Sequence, residues 1–151
     1  MATGYDADTV CRVETNLDDA SPEVLGCVMD KLFISGALDV YFTPVHMKKN
    51  RPGVMLSVLC DEPRVQSLSD IIFTETTAFG LRVDTVKRLK LARRFAQVRT
   101  EFGEVTVKLG LKREAVVQVA PEFESCRAAS EHSGKPLRAV YQAAIEAYHS
   151  L

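Results

Sequence analysis

"LDVYFTPVHMKKNRPGVMLSVLC", residues 38–60, holds two apolar, strand-like runs on either side of a cationic tip that ends in proline and glycine. The first run carries Pro44, which has no N–H to give to a ladder, so it predicts an edge strand or one broken by a bulge. The second, "VMLSVLC", is apolar enough along its length to be a central strand. The turn between them is expected at Asn50 to Gly53.

The flanking sequence completes a unit around this hairpin. Upstream, "TVCRVETN" (9–16) reads as a short strand and "DDASPEVLGCVMDKLFISGA" (18–37) as a helix. Ser21 suits the N-cap, Pro22 the first helical position and Gly36 the C-terminal cap. The stripe Val24, Leu25, Val28, Met29, Leu32 and Phe33 has helical spacing, which places Met29 and Phe33 in the core. Downstream, "EPRVQSLSDIIFTETT" (62–77) reads as a helix with Val65, Leu68, Ile71 and Ile72 inward, and "LRVDTVKRLKL" (81–91) as a strand. The order β-α-β-β-α-β over residues 8–91 is ferredoxin-like. Residues 1–7 read as a leader. Over residues 92–151, "FAQVRTEFGEVTVKLGL" and "AVVQVA" predict three strands. Two helices follow, one opening at Pro121-Glu122 and ending near Gly134, the other opening at Pro136 with Leu137, Val140, Tyr141, Ala144, Ile145 and Tyr148 as its stripe. The fold class is α+β, with a small second α+β lobe after the ferredoxin-like unit.

Composition limits the functions available. The 151 residues are 46% hydrophobic and 26% charged with no tryptophan, which suits one domain or two small ones sharing a core. The formal net charge of -1 gives no global field to recruit nucleic acid or an anionic membrane, so any anion binding is local. No apolar run reaches the roughly 18 residues of a membrane span, and the N-terminus lacks the pattern of a signal peptide, so the expected location is cytoplasmic. Cys11, Cys27, Cys60 and Cys126 are widely spaced, which argues against a zinc or disulfide framework.

In a ferredoxin-like unit the first two strands are parallel and the last two antiparallel to them, so their ends can be assigned. The end of the first strand ("ETNLDD"), the hairpin tip ("MKKNRPG") and the end of the second helix ("TETTAFGLR") fall on the same edge of the sheet. Glu14, Asn16, Asp18 and Asp19 offer hard oxygen ligands for magnesium or manganese. Lys48, Lys49 and Arg51 offer the charged donors that phosphate oxygens need. Glu75, Thr76 and Thr77 add acceptors and hydroxyls, with Arg82 just downstream. A metal-bound nucleoside triphosphate matches this mixture of signs. Each cluster alone has a plainer reading: helix capping for Asp18 or Asp19, a solvated turn for the KKNR tip, a fraying helix end for Glu75 to Thr77. The cationic run "VKRLKLARR" (86–94) reads as a solvated strand edge, and His46 stands far from His132 and His149 in sequence. Convergence is what favours a site.

"ETNLDDASPEVLGCVMDKLFISGALDVYFTPVHMKKNRPGVMLSVLC", with "FTETTAFGLR" and "VAPEFESCR", resembles the C-terminal region of the nickel insertion proteins (LarC family), and the likeness runs from about Val10 to the end. The resemblance implies a CTP-dependent cyclometallase of the lyase class. It inserts nickel into pyridinium-3,5-bisthiocarboxylic acid mononucleotide to make the nickel-pincer nucleotide cofactor of lactate racemase, and the C-terminal region is associated with CTP, a divalent metal and oligomer formation. Members of that family are longer, with histidine-rich stretches that are absent here. The expectation is therefore nucleotide binding without complete insertase activity, and nickel ligands outside this chain. On this basis Lys48, Lys49 and Arg51 are assigned to the triphosphate, and Asn50 to the turn or to phosphate. Glu14, Asp18 and Asp19 are assigned to the manganese or magnesium ion, Thr76 and Thr77 to phosphate or ribose with Arg82 near them, and Glu75 to orienting a basic neighbour. The resemblance also implies a trimer or hexamer. Two other classes stand beside this one: an oligomerisation scaffold, and an RNA-binding sheet. The second requires aromatics on two central strands, which the first and third strands do not have.

Overall fold

In the computed structural model, which describes residues 4–151, the chain runs β1 (Asp6–Leu17), α1 (Pro22–Ile34), β2 (Asp39–Met47), β3 (Arg51–Cys60), α2 (Val65–Glu75) and β4 (Arg82–Lys90). It continues with β5 (Ala92–Thr100), β6 (Gly103–Lys112), β7 (Ala115–Pro121), α3 (Phe123–Ser133) and α4 (Leu137–His149). Two compact units result, Ala7–Arg88 and Leu89–Leu151, the latter with the described residues up to Asp6. Residues 1–3 of the expected leader lie outside the described residues, and β1 already begins at Asp6.

The first unit is a four-stranded sheet in the order β2-β3-β1-β4, the ferredoxin-like arrangement. Pro44 lies on β2, an edge strand, and β3 is central, as their compositions require. β3 pairs antiparallel with both neighbours. The side-chain pairs Asp8–Arg88, Arg12–Asp84 and Asn16–Arg82 run in opposite chain directions, so β4 is antiparallel to β1. Period-two alternation then sorts the strands. Cys11 and Val13 of β1, Val40 of β2 and Leu56, Val58 and Cys60 of β3 form one buried cluster with Val28 and Leu32 of α1 and Leu68 and Ile72 of α2. Arg12, Glu14 and Asn16 point to the opposite face.

Ser21 caps α1 by accepting the N–H of Val24 at 3.3 Å, with Pro22 at the first position. The helix closes through Ser35 and Gly36, whose φ of 97° is costly for any residue with a Cβ. Its buried stripe is narrower than the sequence suggested. Leu25, Val28 and Leu32 are buried, whereas Val24 is 41% and Phe33 44% exposed. At 3.6 residues per turn these two lie roughly 90° to either side of the buried line, on the flanks of the helix. Phe33 is therefore not a core residue.

The hairpin tip also differs from expectation. The turn is made by Lys48–Asn50, with Lys49 and Asn50 both left-handed at φ of 60° and 61°, while Pro52 and Gly53 are already in β3 opposite His46 and Val45. Pro52 is tolerated because β1 stops at Leu17, opposite Val54, and leaves this part of β3 with no ladder on that side. Gly53 serves packing here: a Cβ would stand 2.6 Å from the Leu17 carbonyl oxygen and 2.7 Å from the Met47 sulfur.

The second unit is the meander β5-β6-β7 with α3 and α4. Val98, Val105, Val107, Leu109 and Leu111 pack with Cys126, Ala129, Val140 and Ala144, whereas Ile145, expected inward, is at the exposed margin. Arg113 and Glu114, at φ of 48° and 69°, join Lys112 to Ala115 in the two-residue turn whose twist matches a hairpin. Among the described residues no helix is long and apolar enough to cross a membrane.

Gly53→Ala is expected to destabilise the first unit by about 1–3 kcal/mol, the usual cost of overpacking. Thermal unfolding by calorimetry checks this; an unchanged Tm would mean that the approach of β3 to the end of β1 relaxes freely.

Candidate functional site

The three polar clusters meet at the edge where β1 ends. Beyond Leu17 the chain turns through Asp18 and Asp19 into α1, and the β2–β3 tip and the loop from α2 to β4 come alongside. Arg51 at the start of β3 donates to Asp18 at 3.1 Å. Thr77, just past α2, donates its hydroxyl to Asp19. Arg82, the first residue of β4, donates to Asn16 at 2.8 Å. One short segment, Asn16 to Asp19, is thus held from three elements.

These contacts separate the alternative readings of the acidic pair. Ser21 supplies the side-chain cap of α1, so neither Asp18 nor Asp19 is spent on it. Both line a cleft of about 370 Å³ with Thr15, Asn16, Leu17, Thr77, Ala78, Phe79, Gly80 and Arg82. That volume is in the range of small-molecule sites. A neighbouring hollow, of about 360 Å³, runs past Asp19, Ser21, Val24 and Thr74 to Thr77, so Asp19 and Thr77 stand on the wall between the two.

The other assigned residues divide. The side chains of Lys48 and Lys49 form no hydrogen bond or ion pair among the described residues, and both sit on the strained tip. Asn50 fixes that tip: its Oδ1 accepts from His46 Nε2 at 2.6 Å. Thr76 is a helix cap, donating to the Ile72 carbonyl at 2.6 Å and accepting the N–H of Ala78 at 3.2 Å. Glu75 holds Lys31 of α1 at 2.6 Å, and that hydrogen bond raises the Lys31 ammonium above its ordinary pKa. Glu14 does not line the cleft. It accepts from Ser57 at 3.1 Å and lies 3.4 Å from Arg12 and 3.9 Å from Arg82. Arg12 in turn is forked onto Asp84, whose hydrogen bonds, followed by the charge of Glu14, raise its pKa.

Among the described residues no group of three histidine, cysteine or acidic side chains is clustered as a metal site. Magnesium and manganese keep several waters and use one or two carboxylates plus substrate phosphates, and Asp18 and Asp19 supply such a pair. The single aromatic residue in the cleft lining, Phe79, was not picked out by sequence reasoning; its only signal was a phenylalanine beside glycine in a polar loop.

The model of the family described as nickel insertion protein matches residues 1–141. This chain belongs to the nickel insertion protein family. It is 48% identical over 140 residues to the pyridinium-3,5-bisthiocarboxylic acid mononucleotide nickel insertion protein of Acetivibrio thermocellus, covering 93% of this chain and 34% of that one. The corresponding protein of a Thermotoga species is 42% identical over 131 residues, covering 87% of this chain and 33% of that one. The chain thus spans about a third of the length of these family members. Among solved structures it is similar to the C-terminal domain of a cyclometallase involved in the synthesis of the NPN cofactor of lactate racemase, in its apo form. The TM-score is 0.91 at 40% identity, over 95% of this chain and 99% of that domain. A Methanopyrus kandleri protein is also similar, with a TM-score of 0.70 at 31% identity over 99% of this chain and 93% of that one. Within the nickel insertion family this chain therefore corresponds in fold and extent to the cyclometallase C-terminal domain.

The contacts of the edge differ in what they do for stability. Arg51→Ala removes an exposed ion pair and is expected to change stability by less than about 1 kcal/mol. Thr76→Val removes a helix cap and is expected to cost about 0.5–1.5 kcal/mol. Urea unfolding of the two variants checks the order, and a larger loss for Arg51→Ala would overturn it.

Proposed function

We propose that the cleft at the end of β1 binds CTP with a manganese or magnesium ion, and that the chain serves nickel insertion into pyridinium-3,5-bisthiocarboxylic acid mononucleotide by providing this site. The observation that carries the reading is the meeting of carboxylates with a cation and a hydroxyl along one edge: Asp18 with Arg51 and Asp19 with Thr77, with Lys48 and Lys49 next to Arg51 in the chain and their side chains without partners among the described residues. In this reading Lys48, Lys49 and Arg51 take the triphosphate, and Asp18 and Asp19 take the cation and its water shell. Thr77 and Arg82 contact phosphate or ribose.

The ion pairs make this economical. With a metal triphosphate bound, Arg51 would pair with a phosphate oxygen and Asp18 would hold the cation, so neither charge would be left unpaired. Thr77 would likewise pass from Asp19 to the ligand. Glu14 acts through Arg82, and Glu75 through Lys31, as positioning residues; Asn50 and Thr76 hold the backbone on either side. The divalent ion supplies charge neutralisation of the phosphates. Nickel and the mononucleotide are substrates of the longer protein, and similarity to the cyclometallase domain supports placing this chain in that reaction. Homo-oligomer formation belongs to the same proposal.

Calorimetric titration with CTP, UTP and ATP, each with and without manganese, tests it. CTP is expected to bind with manganese and to weaken markedly without it. Lys48→Ala and Arg51→Ala are each expected to lower affinity about tenfold, the value of a charge-assisted hydrogen bond. Asp18→Asn with Asp19→Asn is expected to remove the manganese dependence. Binding of none of the three nucleotides, or CTP affinity unmoved by the paired Lys48→Ala and Arg51→Ala substitutions, would sink the reading.

A further inference from the structure

The loop from α2 to β4 is pinned on both sides of one residue and presents that residue to water. Thr76 caps the helix and receives the Ala78 N–H, Ala78 and Leu81 pack against the core, Thr77 is bonded to Asp19, and the Gly80 carbonyl accepts from buried Thr15 at 3.0 Å. Between these anchors Phe79 is fully exposed, at 104% of the reference surface. Mobility does not explain an aromatic so placed, because every neighbour in the loop has a partner. Leaving a phenylalanine side chain outside forgoes the free energy of burying its ring. It is also the single aromatic among the residues that line the cleft with Asp18, Asp19, Thr77 and Arg82.

We infer that Phe79 is the platform on which the planar ring of the bound nucleotide stacks, an inference that rests on the cleft being a nucleotide site. A ring has a π-face whatever its hydrogen-bonding edge, so stacking adds affinity without choosing between bases. A rigid loop pays little ordering entropy when the ring arrives. Thr77 in the same loop and Arg82 at the start of β4 flank Phe79 in the chain and line the same cleft, so one short segment offers groups to both halves of a nucleotide. Base choice then falls to the hydrogen-bonding groups at the ring's edge.

The test compares Phe79→Ala, Phe79→Trp and the unaltered chain in manganese buffer, with two probes: CTP, and inorganic tripolyphosphate, which has the phosphates and no ring. Phe79→Ala is expected to weaken CTP at least tenfold and Phe79→Trp to retain it, with tripolyphosphate affinity equal in all three. Equal CTP affinity in Phe79→Ala and the unaltered chain would overturn the stacking role while leaving the nucleotide site standing. A parallel loss of tripolyphosphate would overturn it too, by showing that the substitution disturbs the loop. Absence of CTP binding to the unaltered chain would instead bring down the nucleotide reading itself. Because Phe79 touches no core residue, the folded state of each variant is checked directly by an unchanged Tm.

Discussion

Everything at the polar edge of the first sheet depends on where β1 stops. β1 lies between β3 and β4 and ends at Leu17, whose carbonyl oxygen is approached so closely by Gly53 that no side chain fits between them. That contact sets the hairpin tip beside Asp18, and the antiparallel partner β4 brings Arg82 to Asn16 from the other side. A ligand site built at strand ends inherits its geometry from the ladder, which is rigid, rather than from loops, which are not.

The same edge is an electrostatic arrangement held in reserve. Its charges are exposed enough that their internal pairing contributes little to folding, and they are paired closely enough to stay oriented. The helix caps are kept separate from it. Ser21 and Thr76 carry the structural duties at the two helix ends, which leaves Asp18, Asp19 and Thr77 available for a ligand. In the proposed reading a carboxylate pair, a cationic tip and a fully exposed aromatic ring take the three parts of a metal nucleotide: ion, phosphates and base.

Much of this was legible in the chain. Pro44 marked the edge strand, the apolar run of β3 marked the centre, and the order of periods marked the ferredoxin-like unit, because each reports backbone hydrogen bonding or burial directly. Convergence of Asn16 to Asp19 with Arg51, Thr77 and Arg82 followed from that topology alone. What stayed hidden was side-chain direction. Glu14 is on the sheet face with Arg12 and Ser57, and nothing local distinguishes it from Asp18. Phe33 has the spacing of a core residue but sits on the flank of α1, since the width of a helix's buried stripe is set by its partners. The Pro52-Gly53 pair has the composition of a turn, but its place in β3 is decided by the absence of a neighbouring strand there. Phe79 could not be told from a core phenylalanine until its loop was seen to be pinned around it.

The most direct measurement is paramagnetic relaxation by manganese in NMR spectra of the chain with CTP present. Amide signals near Asn16 to Asp19, Lys48 to Arg51 and Thr77 to Arg82 are expected to broaden together, and only when both manganese and CTP are added. Broadening centred anywhere else, or manganese effects indifferent to CTP, would contradict a metal-nucleotide site at the end of β1.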